Sequence, residues 1–160
     1  MHTHLGTNHI KKNNYMEKKS IEFKLVSEKR DFPIVKIRTS DDAYQYARNL
    51  YADDIDIYES SFIILVNRAH NAIGYAKISQ GGVNGTVVDQ RIICKYAIDS
   101  LCSAVILIHN HPSGNLHPSR EDDNLTKSVK QCLELFNIQL LDHMILSDCG
   151  YYSYSEECRI

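Results

Sequence analysis

Several absences narrow this sequence before any motif does. No apolar run approaches the roughly 18 residues that a bilayer span needs, and none near the N-terminus has the form of a signal peptide, so a soluble, cytoplasmic protein with no membrane partner is expected. The five cysteines, Cys94, Cys102, Cys132, Cys149 and Cys158, include no C-x-x-C pair. Their odd number, and the place of several beside helix-like or strand-like stretches, favour reduced thiols over a disulfide framework. Charge of neither sign dominates: the net value of -2 lacks the basic excess usual in domains built to grip nucleic acid. Glycine concentrates only in the loop from Gln80 to Gly85, which has neither G-x-G-x-x-G nor Gly-Lys-Ser/Thr and so cannot be read as a phosphate cradle; a flexible rim to a site is the reading it permits. There are no repeats, no low-complexity linker and no sign of a second domain.

What is present is an ordinary globular composition, 43% hydrophobic and 24% charged over 160 residues, enough for one domain with its own core. Residues 1–20 lack apolar periodicity and are expected to form a poorly ordered arm, followed by a single domain over 21–160. His2 and His4 repeat an H-x-H spelling with no carboxylate or strand around them, and Met16 is a second candidate start of translation. From Ile10 to Arg30 the basic residues Lys11, Lys12, Lys18, Lys19, Lys24, Lys29 and Arg30 outnumber Glu17, Glu22 and Glu28; a solvated arm is the plain reading, a phosphate contact the sharper one. The stretch Ile21–Arg38, limited by Pro33, reads as an edge strand or lead-in.

Beyond it the elements announce themselves by period. Ser40 is a candidate N-cap for a helix whose apolar side is Ala43, Tyr46, Ala47, Leu50 and Tyr51, with Asp41 and Asp42 at the positive end of its dipole. Tyr58–Asn67 reads as a buried strand led by Glu59, Asn67–Asn71 as a turn, and Ala72–Ser79 as the returning strand of a hairpin. A helix opening at Asp89 would place Ile92, Ile93, Tyr96, Ala97 and Leu101 on one face, with Cys94 and Cys102 as small hydrophobes. Strand, helix and strand in succession predict that the strand at Ala104 is the parallel neighbour of the hairpin's second strand. A third helix is marked by Leu125, Val129, Cys132, Leu133 and Phe136 and stopped at Asn137. Leu140–Leu146, holding Asp142 and His143, reads as a strand, Tyr151–Tyr154 as a closing strand, and 155–160 as a tail.

The chemistry gathers between Ala104 and Asp123, AVILIHNHPSGNLHPSREDD. Ala104–Ile108 is an unbroken apolar run suited to a strand buried on both faces, and it ends on His109-Asn110-His111. Residues two apart in a strand share a face, so both imidazoles can serve one point in space. Pro112, Ser113 and Gly114 break the strand, and Ser119 with Asp122 opens a helix. Ser-x-x-Asp ahead of an apolar-periodic run is also a capping signature with a purely structural use. Two imidazoles and one carboxylate leave a fourth position open, the composition of a catalytic zinc site.

The spelling His-x-His-Pro, six residues, Ser, two residues, Asp resembles the JAMM signature of the JAB/MPN metalloprotease family, and HNHPSG with PSREDD looks most like its RadC-like branch. The resemblance covers roughly 34–156. It implies a three-layer α/β fold related to cytidine deaminases, with helices around a mixed, curved sheet, although the deaminase signatures H-x-E and P-C-x-x-C are missing. It also implies one Zn²⁺ held by His109, His111 and Asp122, and a zinc-bound water activated by Glu59 as general base. Ser119 would stabilise the oxyanion. Asp142 and His143 match an Asp-His pair common in such sequences, with His143 expected to be structurally paired and not a ligand. Long members carry an N-terminal region of helix-hairpin-helix look that this sequence does not spell, so the family's DNA-repair label is expected to transfer poorly.

Three functions follow from these readings. The first is a zinc hydrolase of peptide or isopeptide bonds with a peptide or protein substrate. The second is a metal-dependent nuclease or DNA-processing factor, supported by the His-Asn-His spelling and the basic arm and opposed by the net charge. The third is an interaction module without chemistry, for which all five site residues would be superfluous. Edge strands leave a homo-oligomer open.

Overall fold

The computed structural model describes residues 34–51, 54–81 and 87–160. The expected arm, the basic stretch to Arg30, Pro33, Met16 and most of the glycine-rich loop lie outside them. The elements run α1 (Ser40–Arg48), β1 (Ser60–Val66), β2 (Ala72–Gln80), α2 (Gln90–Asp99), β3 (Ala104–Asn110), α3 (Arg120–Glu134), β4 (Gln139–Ser147) and β5 (Gly150–Ser153). Among the described residues no helix is long and apolar enough to cross a membrane. All five cysteines are free thiols.

The strands form one sheet in the order β2-β1-β3-β4-β5. Every neighbouring pair is antiparallel except β3 and β4, which run parallel. β1 and β3 are buried along their whole length, as continuous apolar runs require when both faces of a sheet are covered. Alternation divides their side chains between two cores. Phe62, Ile64, Val66, Ile106, Ile108, Met144 and Leu146 pack with Ala43, Tyr46 and Ala47 of α1. Ile63, Leu65, Val105, Leu107 and Leu140 pack with Ile93 and Ala97 of α2 and Val129 and Leu133 of α3. The molecule is thus a three-layer α/β fold with α1 on one face and α2 and α3 on the other. Each large side chain so buried contributes about 1.5–3 kcal/mol.

The hairpin from β1 to β2 follows the expected pattern, its turn closed by the Asn67 side chain accepting from the Ala69 and Asn71 amides. Other expectations are corrected. β3 is not the neighbour of β2: β1 lies between them, so β2 and β3 share a direction without sharing hydrogen bonds. The cap of α1 is Thr39, whose hydroxyl accepts from the Asp42 amide; Ser40 instead hydrogen-bonds Asp142 and Ser153. The apolar face of α2 is narrower than its sequence period, because Ile93 and Ala97 are buried while Ile92 and Tyr96 face outward, and Leu101 is 88% exposed in the positive-φ turn that follows. Phe136 likewise lies past the end of α3 and is half exposed, and Asn137 takes the left-handed conformation (φ 56°) that turns the chain into β4.

The lead-in pairs Lys36 with Asn71, the Ala72 amide donating to the Val35 carbonyl. At the other end 155–160 is no loose tail. Arg159 reaches both oxygens of Asp123 on α3 at 2.7 and 2.8 Å and lies over the Tyr154 ring.

Candidate metal centre

The parallel pair β3 and β4 ends at one edge of the sheet, and α3, the crossover between them, begins beside that edge. His109 is the sixth residue of β3, on the α2/α3 face, and only 3% exposed. His111 lies just past the strand but still donates its amide to the Leu146 carbonyl at 2.9 Å, so the strand geometry carries through and both rings fall on one side. Gly114 (φ 77°) makes the turn back, its amide bonded to the His111 carbonyl. Ser119 then caps α3 and puts Asp122 in the first helical turn.

His109, His111 and Asp122 converge, one donor atom from each lying within 4.8 Å of the others. The two Nε2 atoms are 3.0 Å apart, His109 Nε2 is 3.0 Å from Asp122 Oδ1, and His111 Nε2 is 3.6 Å from Oδ2. The edge of a tetrahedron around an ion with nitrogen and oxygen ligands is about 3.3 Å, from metal–ligand distances near 2.0–2.1 Å. The donor set therefore fits a divalent ion of zinc's size and preference. His111 supports this chemically: its Nδ1 lies 2.6 Å from the Asn115 carbonyl, an atom that can only accept, so the proton is on Nδ1 and the Nε2 lone pair points into the cluster.

Charge follows the same geometry. Burial alone would lift the Asp122 carboxyl, but in the metal-free site the facing imidazoles of His109 and His111, when they carry a proton on Nε2, and the Ser119 hydroxyl outweigh it and hold the group well below the usual carboxylate range. His111 is raised, chiefly by Asp122, with burial opposing and Glu59 adding to the rise. His143, fully enclosed, is pushed well below the ordinary histidine value by burial first and by the neighbouring His109 second.

Glu59 precedes β1, partly buried. In the antiparallel register Ser61 faces His109; two residues further along, Glu59 comes across from His111 on the same face, close enough to act on its charge. Its segment is stapled by Asn110, the middle residue of the His-Asn-His run. That buried side chain points to the opposite face, donates to the Ile55 and Tyr58 carbonyls and accepts from the Ser60 amide at 2.7 Å. The Gly81 amide holds the Glu59 carbonyl at 2.8 Å.

Ser119 is engaged differently from the expectation of an oxyanion donor. Its hydroxyl accepts from the Asp122 amide at 3.1 Å and gives its only proton to Asp122 Oδ2 at 2.6 Å, while its own amide donates to the same oxygen at 2.7 Å. The serine thus aims the carboxylate, leaving Oδ1 for the cluster. His143 is held by structural partners, and its strand neighbour Asp142, facing the opposite way, takes bonds from Ser40, Ser153 and the Ser155 amide. His143 Nε2 meets His109 Nδ1 at 2.9 Å, its Nδ1 meets the Thr126 hydroxyl at 2.6 Å, and its ring stacks on Tyr154. Thr126 and the role of Asn110 were missed by sequence reasoning. An isolated threonine inside an amphipathic helix carries no signal, whereas the polar Asn110 within a buried strand could have drawn notice.

Histidines at the mouth of a parallel strand pair, an acid from the following helix and a mixed sheet covered on both faces define a three-layer α/β domain with a candidate metal centre. The family model for the RadC-like JAB domain matches residues 37–159, and the chain belongs to that family. It is 34% identical over 122 residues to a UPF0758 protein of Flavobacterium johnsoniae, covering 76% of this chain and 52% of that one. A UPF0758 protein of Streptococcus sanguinis is 37% identical over 112 residues, covering 69% and 49%, and one of Porphyromonas gingivalis 40% over 100 residues, covering 62% and 44%. The chain spans about half the length of these curated relatives.

Proposed function

We propose that this chain is a zinc-dependent hydrolase of peptide or isopeptide bonds. The observation that carries the reading is the convergence of His109, His111 and Asp122 at a partly open edge of the sheet, with Glu59, just ahead of β1, brought opposite His111 by extension of the β1–β3 register. A divalent ion held by the three ligands would supply Lewis acidity toward a carbonyl and lower the pKa of water. The protein's own groups do the rest. Glu59 takes a proton from the attacking water and delivers it to the departing amine. Asn110 and Gly81 hold the segment that carries Glu59, and Ser119 fixes the carboxylate of Asp122. His111, on the exposed side of the cluster, marks where substrate approaches, and His109 closes the back.

The DNA-processing reading loses one support, because Asn110 of the His-Asn-His spelling is committed to main-chain groups on the far face of the strand. The test runs both in parallel. Protein purified without tag or chelator is analysed for metal, then offered a library of peptides and isopeptide-linked conjugates beside single- and double-stranded DNA. One zinc per chain with chelator-sensitive amide cleavage is the expected result; cleavage of DNA alone would overturn the proposal.

A further inference from the structure

The hydrogen bonds behind His109 run in one direction only, and the direction is set by an atom with no proton to give. Thr126 Oγ lies 2.7 Å from the main-chain carbonyl of Asp122 and 2.6 Å from His143 Nδ1. A hydroxyl has one proton. The carbonyl can only accept, so the proton goes there, and Thr126 must accept from Nδ1–H of His143. Neutral His143 then presents a lone pair at Nε2, which takes the Nδ1–H of His109 at 2.9 Å. What remains on His109 is the Nε2 lone pair, directed at His111 Nε2 and Asp122 Oδ1. With His143 neutral, as at the mildly alkaline pH of the test below, reversing either of its links would set two lone pairs or two protons face to face at these distances. Burial of all three side chains leaves no water to repair such a fault. Tyr154, stacked on His143 at 4.9 Å and 10° and tied through its hydroxyl to Asp123, keeps the ring from turning.

We propose that His143 and Thr126 are positioning residues that lock His109 in the Nδ1–H tautomer, so that its Nε2 is ready to bind a metal before the metal arrives. The relay starts at one ligand and ends on the main chain of another, which ties the orientation of the His109 ring to the first turn of α3. His111 is held in the same tautomer by the Asn115 carbonyl. Once both imidazoles are neutral, two lone pairs and a carboxylate face one another without a proton between them, an arrangement that repels itself until a metal ion or a proton enters. The inference rests on the reading of His109 as a metal ligand.

The experiment is long-range ¹H–¹⁵N correlation on metal-free protein labelled at histidine, at mildly alkaline pH, together with zinc titration. His109 and His143 are expected as Nδ1–H tautomers in the wild type. Thr126→Val, nearly the same shape without the hydroxyl, should turn His143 and His109 into tautomer mixtures and weaken zinc by about 10- to 100-fold, whereas Thr126→Ser should restore both. A purely structural threonine would alter the melting temperature and leave tautomers and zinc affinity alone, and that outcome overturns the proposal. So does an Nε2–H His109 in the wild type, a measurement that needs no variant to fold. Wild-type protein with Nδ1–H tautomers but no affinity for zinc would overturn the metal reading while leaving the tautomer lock in place.

Discussion

At the scale of single residues the site separates groups that would touch a metal from a group that moves protons, and substitutions should separate them too. His111→Ala removes a ligand whose only other side-chain tie is to a loop carbonyl, so zinc per chain should fall to near zero while far-ultraviolet circular dichroism stays native; full occupancy would exclude the three-ligand assignment. Glu59→Gln keeps size and hydrogen-bonding capacity and is not among the converging donors. Zinc should remain, and hydrolysis of a peptide substrate should fall by about 10²- to 10⁴-fold. If Glu59→Gln expels the metal, the glutamate is a fourth ligand. If it leaves the rate intact, the base is another acid.

At the scale of elements the ligands were legible because two short-range rules sufficed. A strand's period of two put His109 and His111 on one side, and a turn followed by a capping signal put Asp122 in the next helix. What stayed hidden depended on long-range pairing. His143 meets His109 across 34 residues and Thr126 meets His143 across 17, and which strand lies between β2 and β3 is a matter of sheet order that local periodicity does not record. The outward turn of Ile92 and Tyr96 shows the same limit: the helix period names a face, but the sheet decides how wide a face it covers. Asn110 links β3 to the Glu59 segment, so Asn110→Ala should cost on the order of 2 kcal/mol through main-chain groups left without partners. It should also slow hydrolysis with zinc still bound, measurable by denaturant titration and metal analysis on one sample. Asp142 joins β4 to α1 and β5 through the Ser40 and Ser153 hydroxyls, and burial, against those hydrogen bonds, raises its pKa. A raised folded-state pKa means the protonated form is favoured by folding. The stability this group contributes is then fully present below its unfolded pKa and is lost as pH rises through the folded one. The stability of the wild type relative to Asp142→Asn should accordingly fall as pH rises across that window; a relative stability that rises instead would show the carboxylate to be favoured by the fold.

Considered whole, the molecule has a core that does not need the site. The two apolar clusters on either face of the sheet draw on side chains of β1, β3 and β4 other than the histidines and Asp122. Metal-free protein should therefore stay folded, and metal should add stability by mass action alone. Zinc at a hundred times its dissociation constant should contribute about 2.7 kcal/mol. That corresponds to roughly 5–10 °C in melting temperature for a chain of this size, reversed by chelator and absent in His111→Ala. Unfolding on chelation alone would mean that the ion is structural.

Asp122 answers to two masters. The oxygen that Ser119 grips closes the first turn of α3, while the other faces His109. An inert twin of the protein, needed wherever binding must be told apart from turnover, is thus poorly made at this position. Asp122→Ala would delete a ligand and fray a helix in one stroke, leaving a phenotype with two causes. Asp122→Asn would keep an oxygen for the Ser119 amide and be the milder lesion. The clean decoy lies on the strand side, at His111, where nothing but the cluster and one loop carbonyl would notice the change.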